Sequence, residues 1–91
     1  MTSIAAEGWR LSDSVSLRPE PFGALAYDFA TRRLSFLKTP SLVAVVQGLA
    51  ASPTVADALA SAGVPETERP AYLDALSGLA ATGILTRKDG A

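Results

Sequence analysis

The sequence predicts an α+β domain, winged-helix-like, in which a three-stranded antiparallel sheet is followed by three helices. Three observations predict it. Between Ser14 and Lys38 apolar and polar side chains alternate, the period of a half-buried strand. From Thr39 onward the apolar residues recur at helical spacing instead. The chain has 91 residues, which is one domain's worth, and a run of strands followed by a run of helices packs as helices over one face of a sheet.

Each element has its own signal. Val15 and Leu17 alternate with Ser14, Ser16 and Arg18 in the first strand, and Pro19-Glu20-Pro21 breaks it ahead of a turn at Gly23. In the second strand, from Ala24 to Ala30, Leu25, Tyr27 and Phe29 point one way while Ala24, Ala26 and Asp28 point the other. A turn at Thr31-Arg32 leads into the third strand, where Leu34 and Phe36 share one face and Ser35 and Leu37 the other. Thr39 caps the first helix, with Pro40 at its first position, and Leu42, Val45, Val46 and Leu49 form the stripe. Thr54, with Asp57 three residues on, caps the second helix, whose inner face is Val55, Ala58, Leu59 and Ala62, and Gly63 ends it. The third helix starts at Thr67, tolerates Pro70 in its first turn, carries Leu73, Leu76 and Ala80 as its stripe, and ends at Gly83. Ile84 to Thr86 continue as a short extended stretch. The domain is expected to run from residue 9 to 88, with residues 1–8 a flexible tail and 89–91 a flexible end.

Composition removes whole classes of function. There is no cysteine and no histidine, so a thiolate or imidazole metal site, an iron–sulfur cluster, a disulfide and a histidine-based triad are excluded. No paired carboxylates stand beside a nucleophile and no glycine-rich phosphate loop is present. The net charge of −1 lacks the basic excess of a nucleic-acid binder. No apolar run approaches the roughly 20 residues that cross a bilayer, and Met1 to Gly8 is no signal peptide, so a cytoplasmic location is expected.

Four features carry candidate functions, each beside a plainer alternative. The third strand offers one open edge, on which an extended peptide can add as a further strand, and Arg32, Arg33 and Lys38 suit an acidic one; the alternative is a charged edge that prevents aggregation. The third helix carries Gly78, Ala75, Ala80 and Ala81, small residues that border a groove or pack on a neighbouring helix, with Tyr72 at the rim or half in the core. Asp28 fits a strand's solvent face, and Glu66 and Glu68 complement the positive end of a helix. Trp9 closes one end of the core or anchors a partner.

Trp9-Arg10-Leu11, then Val15-Ser16-Leu17-Arg18-Pro19-Glu20-Pro21-Phe22-Gly23-Ala24-Leu25 and Thr31-Arg32-Arg33-Leu34-Ser35-Phe36-Leu37-Lys38, resemble the MftB family of mycofactocin-system peptide chaperones, part of the PqqD-like recognition elements for ribosomally made, modified peptides. The resemblance spans Trp9 to Leu85, and its specific part is Leu17 to Lys38. It implies the same three strands and three helices, no catalysis and no cofactor. It implies binding of the precursor peptide MftA and delivery to the radical S-adenosylmethionine enzyme MftC, which carries the iron–sulfur clusters and modifies the peptide's C-terminal Val-Tyr. In the wider group the precursor's leader adds along the third strand, in a groove bordered by the third helix. Carried onto this chain, that implies peptide contacts at Arg33, Leu34, Ser35, Phe36, Leu37 and Lys38, and at Tyr72, Leu73, Leu76 and Ala80. The asparagine-containing turn of many PqqD-like domains is replaced by Lys38-Thr39-Pro40-Ser41, where Thr39 caps in its place.

Two other functions compete. A DNA-reading winged helix needs a basic recognition helix, and Thr54 to Ala62 has no Lys or Arg while the third helix has only Arg69. A small enzyme would have to use Asp28 or Tyr72. The open edge also allows a homodimer, and Arg18 and Glu20 are candidate docking residues for the enzyme.

Overall fold

The computed structural model describes residues 4–88, so residues 1–3 of the expected 1–8 tail and the expected end at 89–91 lie outside the described residues. Five strands and three helices follow in order: β1 (Trp9–Leu11), β2 (Val15–Glu20), β3 (Gly23–Asp28), β4 (Arg33–Leu37), α1 (Pro40–Gly48), α2 (Val55–Ser61), α3 (Arg69–Ala81) and β5 (Leu85–Arg87). The main sheet is antiparallel in the order β2-β3-β4. This is the α+β arrangement expected, with one addition. β1 and β5 pair as a separate antiparallel ribbon, Trp9 opposite Arg87 and Leu11 opposite Leu85. Three-residue strands are too short to show a period.

The helices form where their caps and stripes predict. Leu42 N–H donates to Thr39 Oγ1 at 3.1 Å, and Leu42, Val45, Val46 and Leu49 are all buried. Asp57 N–H donates to Thr54 Oγ1 at 3.2 Å while the Thr54 hydroxyl donates to Asp57 Oδ2 at 2.9 Å. Val55, Ala58 and Leu59 are buried, but Ala62 is exposed, because the helix has already ended at Ser61 and Gly63 turns away with φ of 75°. A 3-10 turn at Glu66–Glu68 delays α3 to Arg69, with Leu76 and Leu79 as its buried residues. At Gly78 an added Cβ would meet nothing within 4 Å, so this glycine serves neither close helix packing nor a close backbone approach.

Ordered packing starts before Trp9. Ile4–Ala6 forms a 3-10 turn and Ile4 packs against the core. The Val55 N–H, unpaired within its own helix, donates to Glu7 O at 2.9 Å. Glu7 also accepts from Trp9 Nε1 at 3.0 Å and from Arg87 Nη1 at 3.3 Å, and the Arg87 guanidinium lies 5.7 Å from the Trp9 ring centroid. Lys88 Nζ donates to Ala50 O and Ser52 O just beyond α1.

Two strand expectations are overturned. Pro19 does not end β2, which runs on to Glu20 and turns through Pro21 and Phe22 alone. Proline is tolerated there because β2 is an edge strand. Asp28 does not face solvent. Ala24, Ala26 and Asp28 point inward, beneath α1, with Ala26 wholly buried. Leu25 and Tyr27 point outward, and Phe29 beyond them is exposed.

Both ends of β3 are fixed by specific contacts. At one, the Gly23 backbone approaches β4 so closely that a Cβ would clash with Leu37 O. At the other, Asp28 Oδ1 accepts from Ser14 Oγ at 2.7 Å and Ala30 N–H at 2.9 Å, with Thr31 N–H at 3.4 Å. The Ser14 hydroxyl holds the Asp28 carboxyl below its usual range, burial pushes the other way, and the Ala30 and Thr31 bonds add to the lowering.

Three outcomes follow. Gly23→Ala should cost at least about 2 kcal/mol, since backbone rather than a flexible side chain must move; an unshifted urea midpoint would refute the close approach. Gly78→Ala should stabilise by about 1 kcal/mol in the same assay. The Asp28 carboxyl ionises more readily folded than unfolded. It therefore contributes stability above the unfolded value of about 3.9 that disappears as pH falls through the folded value. In a carboxyl NMR titration, Ser14→Ala should raise the Asp28 pKa and move acid unfolding to higher pH; an unmoved Asp28 would show that Ser14 is not the cause.

Candidate functional site

β4 is hydrogen-bonded to β3 alone, with Ala24 opposite Leu37 and Asp28 opposite Arg33. Among the described residues no strand, loop or side chain takes up its other edge. An edge in this state presents a row of backbone donors and acceptors to any extended chain that reaches it.

Side chains on β4 alternate. Leu34 and Phe36 project from the outer face, 58% and 60% exposed, while Ser35 is half-buried and Leu37 buried on the helix side. Arg33 and Lys38 stand exposed at its two ends, with Arg32 in the preceding turn at φ of 60°. None of these three cations enters an ion pair among the described residues. The three pairs that do form are Arg10–Asp13, Arg18–Glu20 and Arg87–Glu7.

Where β4 hands over to α1, a hollow of about 260 Å³ opens against α3. Thr39 and Leu42 line it from the start of α1; Glu68, Ala71, Tyr72 and Ala75 line it from the start of α3. Pro40 fixes the corner and Thr39 is held there by its cap, so the lining is set by the same bond that starts the helix. Ala71 and Ala75, one helical turn apart, leave the space, and Glu68 is the one charged group on the lining.

The structure therefore separates the helix residues singled out from the sequence. Tyr72 lines the hollow. Leu73 packs half-buried against the core, and Leu76 is wholly buried and offers no surface. Ala80 belongs to a different hollow, of about 390 Å³, with Ile4, Glu7, Trp9, Ser77 and Ala81. The sequence does not single out Thr39, Leu42, Glu68 or Ala71 as contacts, and it offers Ala75 only as a small residue. Their signal was small residues at i and i+4 on either side of Tyr72, on the flank of the apolar stripe rather than in it. Trp9 is half-buried and packs against the core.

Nothing else in the described residues suggests chemistry. No three His, Cys, Asp or Glu side chains group as metal ligands. No described helix is long and apolar enough to cross a membrane. Arg69, the single basic residue of α3, donates to Val64 O at 3.3 Å.

Comparison with known proteins gives a consistent answer. The sequence profile of the Peptide chaperone MftB family matches residues 8–86. A Mycobacterium ulcerans protein named peptide chaperone MftB is 51% identical over 82 residues, 90% of this chain and 75% of the relative. Its namesake in Mycobacterium tuberculosis is 53% identical over 78 residues, 86% of this chain and 72% of the relative. The namesake in Mycolicibacterium smegmatis is 49% identical over 77 residues, 85% and 76% of the two chains. No solved structure gives a significant match. A profile that takes in every strand of the main sheet and all three helices, with relatives identical at about half their aligned positions, settles the family: this chain belongs to the MftB peptide chaperones.

Proposed function

We propose that this chain is a non-catalytic peptide chaperone of mycofactocin biosynthesis. It takes the leader of the precursor peptide MftA as an added strand on β4 and presents the peptide to the radical S-adenosylmethionine enzyme MftC. The observation that carries the reading is a sheet edge with no partner among the described residues, running into a hollow between α1 and α3, in a member of the MftB family.

Strand addition supplies register through the backbone and specificity through alternate side chains. One set of the peptide's side chains would continue the outer row of Leu34 and Phe36, and the other would turn toward the helix side. An apolar residue of the latter set suits the space left by Ala71 and Ala75. Arg33 and Lys38 at the strand's ends, with Arg32 beside them, favour acidic residues in the leader, while Glu68 at the hollow suits a donor. Without histidine, cysteine or a carboxylate cluster among the described residues, the chain's part is to hold and orient a substrate for another protein's chemistry. This work takes place in the cytoplasm, where a ribosomal product is first available.

Ala71→Trp should fill the hollow and weaken MftA binding about tenfold or more, without loss of stability, because Ala71 is exposed on its helix. Isothermal titration of the two proteins with MftA decides it. Wild-type affinity in a folded Ala71→Trp variant would remove the hollow from the peptide's path.

A further inference from the structure

The outer face of β3 and β4 is apolar, which is unusual for a sheet whose other face carries the core. Leu25 lies opposite Phe36 and Tyr27 opposite Leu34. Phe22 meets Phe36 edge-on at 6.0 Å at one end, and Phe29 meets Tyr27 edge-on at 4.9 Å at the other. Phe22 is 41% exposed and Phe29 64%. The patch spans β3, β4 and both adjoining turns, so a single strand added beside β4 would leave most of it uncovered. Arg18, opposite Leu25, together with Lys38 and with Arg32 in the adjoining turn, gives it a cationic rim. Among the described residues the only acid on that face is Glu20, already paired with Arg18 at 3.2 Å; Asp28 points inward and is buried.

We propose that this face docks a second, folded protein, the enzyme that receives the peptide, through an apolar surface edged by carboxylates. The proposal rests on the reading of the chain as a chaperone that hands its peptide on. Charge decides the occupant. A second copy would bring the same cationic rim against this one, which opposes self-association. Two cations outside ion pairs among the described residues, Arg32 and Lys38, fall short of the roughly four to eight basic residues that anchor a protein to anionic lipid. Aromatic anchors ringed by charge match a protein interface, where a few buried aromatic residues carry most of the binding. Because the peptide edge and this face share β4, one strand would hold the substrate on its edge and the enzyme on its outer side.

The test uses Phe22→Ser with Phe29→Ser, and separately Arg18→Glu, all exposed positions off β4. Binding to MftC and to MftA is measured by titration, mass by sedimentation, and flotation with phosphatidylserine vesicles. The expected result is MftC affinity down about tenfold in each variant, MftA affinity within about twofold of wild type, a monomer throughout and no vesicle binding. Unchanged MftC affinity in both variants overturns the proposal while leaving the chaperone reading intact. Equal loss of MftA and MftC binding in folded variants overturns it by assigning the face to the peptide. A wild-type dimer, or vesicle binding, that the substitutions abolish overturns it in favour of those occupants. Failure of the wild-type chain to bind MftC at all overturns both this proposal and the delivery step, and failure to bind MftA sinks the chaperone reading itself.

Discussion

The seating of α1 on β3 is the constraint from which the rest follows. α1 presents Val45 and Val46, both fully buried, and β3 meets the helix with Ala24 and Ala26. Small side chains let the helix lie close to the strand, and close packing is where dispersion and burial are both gained. The consequence is an inversion of the usual polarity. With alanines committed to the inner face, period-two alternation sends Leu25 and Tyr27 outward. The neighbouring strand follows in register, so Leu37 and Ser35 go in while Leu34 and Phe36 go out. Leu25, Tyr27, Leu34 and Phe36 are thus displayed on the outer face, and the core is completed by Leu37, the helices, Ile84 and Leu85.

That inversion marks the limit of what the sequence makes legible. The caps at Thr39 and Thr54, the stripe Leu42 to Leu49, the stop at Gly63 and the β3–β4 hairpin are local signals, and each appears where local chemistry puts it. The choice of face in β3 is not local. Leu25, Tyr27 and Phe29 are the larger apolar set, and area alone assigns them to the core; only the presence of α1 above the strand makes the smaller set the better fit. Asp28 is misplaced for the same reason. A buried carboxylate looks forbidding until its three donors, Ser14, Ala30 and Thr31, are brought to it by the fold. The β1–β5 ribbon escapes notice because its two halves lie at opposite ends of the chain. Of the candidate site, the open strand edge follows from hairpin order, but which helix residues stand beside it depends on how α3 is rolled. The apolar stripe names what faces the core, Leu76 and Leu79, and the hollow is lined by its flank.

The two edges of the main sheet are managed differently, and the difference bears on function. Exposed edges invite unwanted pairing, so they are blunted by proline, charge or shortness. β2 carries Pro19, which has no N–H to offer, and the Arg18–Glu20 pair beside it. β4 carries no proline, and its flanking charges are all of one sign and unpaired among the described residues. Had protection been the whole requirement, the treatment given to β2 would have served for β4 as well. Instead the cations stand only at the ends of β4, leaving Leu34, Ser35, Phe36 and Leu37 as an uninterrupted edge of uncharged residues. Like charges keep a second copy from pairing there, since its own Arg33 and Lys38 would be brought against these; an acidic chain meets attraction at the same positions. One arrangement of charge thus opposes self-pairing and is complementary to an acidic strand, which is the chemistry the proposed peptide would have to supply.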